Sequence, residues 1–273
     1  MTLIDLEGMY MEPNEFIHEV YRRMQERYGN ASHHTEFEEV KTWENTERAV
    51  NDYRRLLPAN KDAAILDIGF GTGWFLAACI QLGYTNLHGA EFGPQGASKL
   101  PSWSNHIRKI DQIQSNIGDY LSDKKESYDF IHMSHVIEHI PKHSLFYISD
   151  SLYWALKSSG TLLLRCPNME GPTALTSHFV TLGHEYGFTS DNLESLLELS
   201  NFDNVEFKVF PIHSPTKRQI AGMLLRKLLG NIRSFSYRVY SGEYLDEYRR
   251  GIELIVTAKK TGMRPSLFDK KYF

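Results

Sequence analysis

The sequence predicts an α/β protein, with a parallel sheet covered by helices on both faces, and three observations carry that prediction. Strand-like and helical patterns alternate from Ala63 to Cys166. The first strand, Ile65-Leu66-Asp67-Ile68, runs into the alternating glycines Gly69, Gly71 and Gly73 before a helical pattern begins. After Pro167 the alternation breaks, and a late strand follows a long excursion.

Taken in order, residues 14–28 place Ile17, Val20, Tyr21 and Met24 on one helical face. A polar linker with Gly29, Asn30 and Ser32 separates them from a second helical pattern at about 43–56. Strand 63–68 leads to a helix over 73–82, and strand 86–91 to a helix or turn near 94–100. A weaker strand near 111–116 precedes Gly118. Strand 128–133 leads to a helix over 138–157, which Gly160 punctuates before strand 161–166. A polar, glycine-containing stretch runs to Gly187. A helix over 189–200, a strand over 204–212, an excursion over 214–242 and a last strand over 251–258 complete the order. The implied division is a helical extension or cap over 1–58, one domain over 59–260 and a tail over 261–273 without clear pattern.

At 273 residues the chain can bury a full core. Its net charge of −4 weighs against broad electrostatic binding of nucleic acid. Residues 1–14 lack a basic-then-apolar leader, and no apolar run approaches the ~18 residues of a membrane span. Cys79, in a helical pattern, and Cys166, in a strand, read as buried small apolar residues in a reducing compartment. A cytoplasmic protein is expected.

Ligands of parallel sheets bind beyond the carboxyl ends of the strands, where glycine-rich backbone lets N–H groups approach them. A dinucleotide fingerprint needs G-x-G-x-x-G. Counted from Gly69 and Gly71, its last position falls on Trp74, whose side chain would block the close helix–strand approach. A phosphate-cradling loop with a Gly-Lys-Ser/Thr ending is absent too. What remains, Asp67-x-Gly69-x-Gly71-x-Gly73, resembles the first motif of class I S-adenosylmethionine (SAM)-dependent methyltransferases.

That resemblance covers residues 60–166 most strongly. It implies a Rossmann-like sheet of seven strands, the last antiparallel, with SAM as cofactor and S-adenosylhomocysteine as product. Asp67, Gly69, Gly71 and Gly73 would hold the methionine end, with Phe70 in the same loop. Glu91, at the end of the second strand and followed by Phe92, would take the ribose, because a carboxylate accepts two hydrogen bonds from a diol. Asp119 would accept from the adenine amine, Tyr120 offers a stacking face, and Ser134 stands where the fourth strand opens. Phe70 and Trp74 depart from the small or polar residues usual there, which bears on the pocket wall. Singly, Asp67 reads equally as a strand-end acid, Glu91 as a surface residue and Asp119 as a helix N-cap; in register with the glycines they read as one site.

Methyl transfer to a poor nucleophile such as a sugar hydroxyl calls for proximity and a general base, work that suits histidine. His135 after the fourth strand, and His178 and His184 in the irregular stretch after the fifth, are the candidates, with His135 and His184 favoured. His139 is set aside, since Val-x-Glu-His opens this helix in methyltransferases without direct chemistry, and Glu138 suits the positive end of a helix dipole. His135, Glu138 and His139 also spell H-x-x-E-H, which with a distal histidine could hold a divalent metal. The run resembles the E-x-x-E-H of metal-dependent O-methyltransferases of small-RNA 3′ ends and ubiquinone biosynthesis. His135 replaces their first acid, a departure that weighs against a hard metal, and no metal ligand is assigned.

Residues 214–240 are basic and amphipathic. Lys217, Arg218, Arg226, Lys227, Arg233 and Arg238 accompany Ile220, Leu224, Leu225, Leu228, Leu229 and Ile232. Such a helix packs its apolar face on the sheet or on a second copy, or meets an anionic membrane surface or a phosphate-bearing substrate. The layout resembles bacterial methyltransferases of surface-polysaccharide biosynthesis, which implies O-methylation of a sugar or similar small polar acceptor, free or within a glycan. RNA or a quinone-type acceptor, and a catalytically inactive binding subunit, are the rival expectations.

Overall fold

The computed structural model describes residues 46, 48–92, 105–210 and 217–262. The expected helix over 14–28, the element near 94–100 and the tail beyond 262 lie outside the described residues. Seven strands form one sheet: β1 Ile65–Ile68, β2 Leu87–Phe92, β3 Lys109–Ile113, β4 Tyr128–Ser134, β5 Leu156–Pro167, β6 Asp203–Phe207 and β7 Glu253–Lys259. Their order is β3-β2-β1-β4-β5-β7-β6. Neighbours from β3 to β5 run parallel, and β7 is antiparallel to both β5 and β6.

Six helices are described beside a helical run over 48–53: α1 Trp74–Gln81, α2 Ile117–Leu121, α3 Leu145–Ala155, α4 Ala174–His178, α5 Ser190–Leu199 and α6 Lys217–Ser241. Side chains alternate along a strand, so each central strand feeds two cores. Leu66, Ile68, Ile131, Met133, Leu162 and Leu164 face one side, where α3 and α5 cover them with Ile148, Leu152, Leu193 and Leu197. Ile65, Leu87, Phe130 and Leu163 face the other, covered by Leu76 and Cys79 of α1 and by Val50 and Tyr53. Covering both faces is what a parallel sheet requires. Cys79 and Cys166 are both buried, and burial pushes both thiols up.

Several elements differ from the sequence expectation, three of them with consequences for the site or the surface. The helix expected over 138–157 is broken. Pro141 drives Ile140 into the extended region (φ −82, ψ 125), leaving 3₁₀ turns at Ile137–His139 and Lys142–Ser144 before α3 begins. Glu138 therefore opens an isolated turn rather than a long helix with a macrodipole. β5 starts at Leu156, not 161, with Ser159 in the left-handed region (φ 65) before Gly160. Finally, α6 does not lay its apolar face on the sheet: of its side chains only Ser234 is buried.

Candidate active site

The carboxyl ends of β1, β2, β4 and β5 share one edge of the sheet, because Ile68 pairs with Ala90 and Met133, and Ser134 with Arg165. Antiparallel β7 begins on that edge at Glu253, opposite Pro167. Everything that follows is built there.

Beyond β1 the glycine loop has φ of 67, 50 and 78 at Gly69, Gly71 and Gly73. These left-handed values need glycine. A Cβ on Gly69 would lie 2.4 Å from Val136 Cγ2, whereas one on Gly71 would meet nothing within 4 Å. The loop is thus wedged against the turn after β4 on one side and open on the other. Gly71 N–H donates to Glu91 Oε2 (2.6 Å) and Phe92 N–H to Glu91 Oε1 (2.8 Å). Burial raises the Glu91 pKa against the pull of these two donors. Each oxygen keeps a second lone pair for a hydroxyl.

Asp119 lies in the first turn of α2. Its carboxylate accepts from Tyr147 OH (2.8 Å), Ser115 Oγ (2.9 Å) and Asn116 Nδ2 (2.8 Å) and faces solvent. The N-cap of α2 is Asn116, which accepts from Asp119 N–H at 2.9 Å. Tyr120 donates to Asp111 (3.0 Å), and its ring lies under the Lys124 ammonium. Open backbone at Gly71 beside an acid at the end of β2, with a second exposed acid at the start of α2, fits the amino-acid, ribose and base portions of SAM.

Two of the sequence-predicted residues point elsewhere. The Asp67 carboxylate is buried and accepts from His132 Nδ1 (2.7 Å) in the adjacent strand, with His132 stacked on Phe75 at 3.9 Å. Burial raises the Asp67 pKa against the His132 charge and hydrogen bond. Phe70 is buried against Gly89, so only its backbone belongs to the loop surface. Trp74 opens α1 and is exposed.

On the acceptor side, His135 sits in the left-handed region (φ 55), held by its N–H to Arg165 O (2.9 Å). Its Nε2 donates to Glu253 Oε1 (2.9 Å), and Nδ1 lies 3.3 Å from Glu138 Oε1. Arg165 donates to Glu253 Oε2 (2.7 Å) and to Tyr53 OH (2.7 Å). Burial would lower the His135 pKa, but Glu138 and Glu253 overcome it and push it up to about 9. Burial would raise Glu253, but His135 and Arg165 bring it to about 2. His135 thus belongs to an ion chain of Glu138, Glu253 and Arg165 that favours its protonated form.

His139 and His184 form a second group. Glu138 O accepts from Glu185 N–H (2.8 Å) and Tyr186 N–H (3.1 Å), which draws the 183–186 segment onto the turn after β4. His139 Nδ1 donates to Gly183 O (2.7 Å), and its ring centroid is 4.8 Å from that of His184. Burial lowers the His139 pKa despite the Glu138 carboxylate. Glu138, His139 and His184 offer ligand atoms within 4.8 Å of one another, with Glu138 buried. His178 ends α4 with its ring against Phe179 (4.7 Å). Sequence reasoning set His139 aside and did not find Tyr53, His132, Arg165 or Glu253; the strand-end position of Arg165 was the one signal available.

Solved methyltransferase structures share this fold. A SAM-dependent methyltransferase from Archaeoglobus fulgidus superposes with a TM-score of 0.57 at 20% identity, over 88% of this chain and 99% of that one. Phosphoethanolamine N-methyltransferase 2 from Haemonchus contortus, in complex with SAM, gives 0.55 at 13% identity over 88% of this chain and 60% of that one. The putative methyltransferase in complex with the Trm112 activator from Haloferax volcanii gives 0.53 at 12% identity, over 92% and 98% of the two chains. No curated protein matches the chain. The methyltransferase-domain family model matches residues 42–207, from ahead of β1 through β6, and the chain belongs to that family.

Proposed function

We propose that this methyltransferase transfers the methyl group of SAM to a hydroxyl of a sugar or similar small polar acceptor, with the His139–His184 pair taking the acceptor's proton. The supporting observation is the half-buried His139, its Nδ1–H donating to Gly183 O and its ring beside His184 at the loop edge of the sheet. SAM, when bound, supplies an electrophilic methyl on a sulfonium. In this reading Gly69, Gly71 and Gly73 present bare backbone to its amino-acid end, Glu91 accepts from the ribose, and Asp119 takes the adenine amine. Asp67 acts through His132 and the strand backbone. His135 stays an imidazolium and orients the turn after β4.

A second reading assigns Glu138, His139 and His184 to a divalent metal that would polarise the acceptor oxygen, and the closeness of their ligand atoms favours it. One experiment separates them. S-adenosylhomocysteine binding is measured by calorimetry, and methyl transfer from labelled SAM is followed with a panel of sugar nucleotides. Glu91→Ala should weaken binding by roughly 1–3 kcal/mol, the value of lost charge-assisted hydrogen bonds. His139→Ala and His184→Ala should bind the ligand normally yet lose about 100-fold in transfer. No binding at millimolar ligand sinks the cofactor site, and loss of transfer on chelation, restored by a divalent cation, favours the metal.

A further inference from the structure

The methyltransferase reading leaves α6 unexplained. The helix is braced on the body along one line only. Ser234 Oγ accepts from Leu245 N–H (2.9 Å), Arg250 donates to Asn231 Oδ1 (2.9 Å), and the Arg250 stem lies 3.4 Å from the Cβ position of Gly230. At about 100° per residue, Leu224, Leu225, Leu228, Leu229, Ile232 and Phe235 fall within one arc of roughly 140°, clear of that line. These six side chains are between 55% and 64% exposed. That is an unbroken apolar stripe facing water, which a soluble helix ordinarily buries.

The charges say what covers it. Arg226 and Arg233 border one edge of the stripe, Lys227 and Arg238 the other, and no acidic residue lies between Lys217 and Ser241. The chain as a whole carries −4, so this helix is positive against the rest of the molecule. An apolar face rimmed on both sides by basic heads is the pattern of a helix lying in the plane of an anionic bilayer. There the stripe enters the acyl boundary, while the long stems reach up to the phosphates. Tyr240, an apolar ring with a polar tip beside the Arg233 edge of the stripe, suits the same depth. Among the described residues no helix is long and apolar enough to cross a membrane. A second copy is the poorer occupant, because two such helices would set basic rims against each other with no acid on either helix to pair them.

We propose that α6 is an interfacial helix that docks this protein on an anionic lipid surface. Flotation of the full chain with vesicles tests it. Binding to phosphatidylcholine vesicles containing phosphatidylglycerol should exceed binding to pure phosphatidylcholine by about tenfold or more and should weaken with added salt. Leu228→Asp with Ile232→Asp should lower it about tenfold, and Arg226→Glu with Arg233→Glu should erase the preference for anionic lipid. Affinity for S-adenosylhomocysteine should be unchanged in both variants, which reports that they fold. Equal flotation with the two vesicle types would overturn the proposal. So would a concentration-dependent dimer that Leu228→Asp dissolves, or retention of RNA, in the absence of vesicle binding.

Discussion

Gly69 and Gly71 share a backbone region but differ in what surrounds them. At Gly69 a methyl group adds steric conflict with Val136 at 2.4 Å to the left-handed strain; at Gly71 the strain stands alone, since nothing lies within 4 Å. Gly69→Ala should therefore cost clearly more stability than the ~1–2 kcal/mol of the conformation itself, and Val136→Ala should recover part of it. Gly71→Ala should cost about that conformational amount and act mainly on S-adenosylhomocysteine affinity, because its methyl group would occupy the open side of the loop. Denaturant melts of the single and double variants check the first claim. If Gly69→Ala and Gly71→Ala destabilise equally, the wedge against Val136 is wrong.

At the scale of elements, the turn after β4 and the first residue of β7 are joined by charge. His135 has a folded pKa of about 9, above its unfolded value near 6.5, so its contribution is complete below pH ~6.5 and lost as pH rises through 9. Glu253 has a folded pKa of about 2, below ~4.3 unfolded, so its contribution is present above pH ~4.3 and lost as pH falls toward 2. The junction is strongest between those limits. His135 is 46% exposed, and solvent screening keeps the pair at the scale of a surface ion pair, under about 1 kcal/mol. Thermal melts from pH 6 to 10 should show the native protein losing more stability through pH 9 than Glu253→Gln does. Parallel curves would mean that His135 is not held protonated by Glu253.

For the whole molecule, the proposed cofactor cradle forms only when the ends of β1, β2 and β4 stand side by side. A ligand of that cradle should thus bind the folded chain alone. S-adenosylhomocysteine at about 100 times its Kd should add about 2.7 kcal/mol and raise Tm by several degrees. Glu91→Ala should need a correspondingly higher ligand concentration for the same shift. A Tm indifferent to ligand in the native protein would contradict the placement of the cofactor on this edge.

The alternation of strands and helices, the glycine loop and Glu91 were legible in the sequence because they are local. The loop and the acid are successive punctuation in one β-α-β unit, 20 positions apart, and the periodicities around them carry no ambiguity. Pro141 was legible too, but its force on Ile140 was outweighed by a helical pattern that continued beyond it. The partners that decide the chemistry were not legible. Asp67 and His132 are 65 positions apart, Arg165 and Tyr53 112, and His135 and Glu253 118. Only the order β1-β4-β5-β7, with β7 reversed, brings them to one edge, where Glu138 and Glu253 raise the His135 pKa against burial while burial lowers that of His139. By itself the sequence determined the class of fold and the glycine loop after its first strand, through backbone rules acting over a few residues. The surroundings of each histidine were decided by the tertiary structure, because a pKa depends on charges and water that the chain order does not contain.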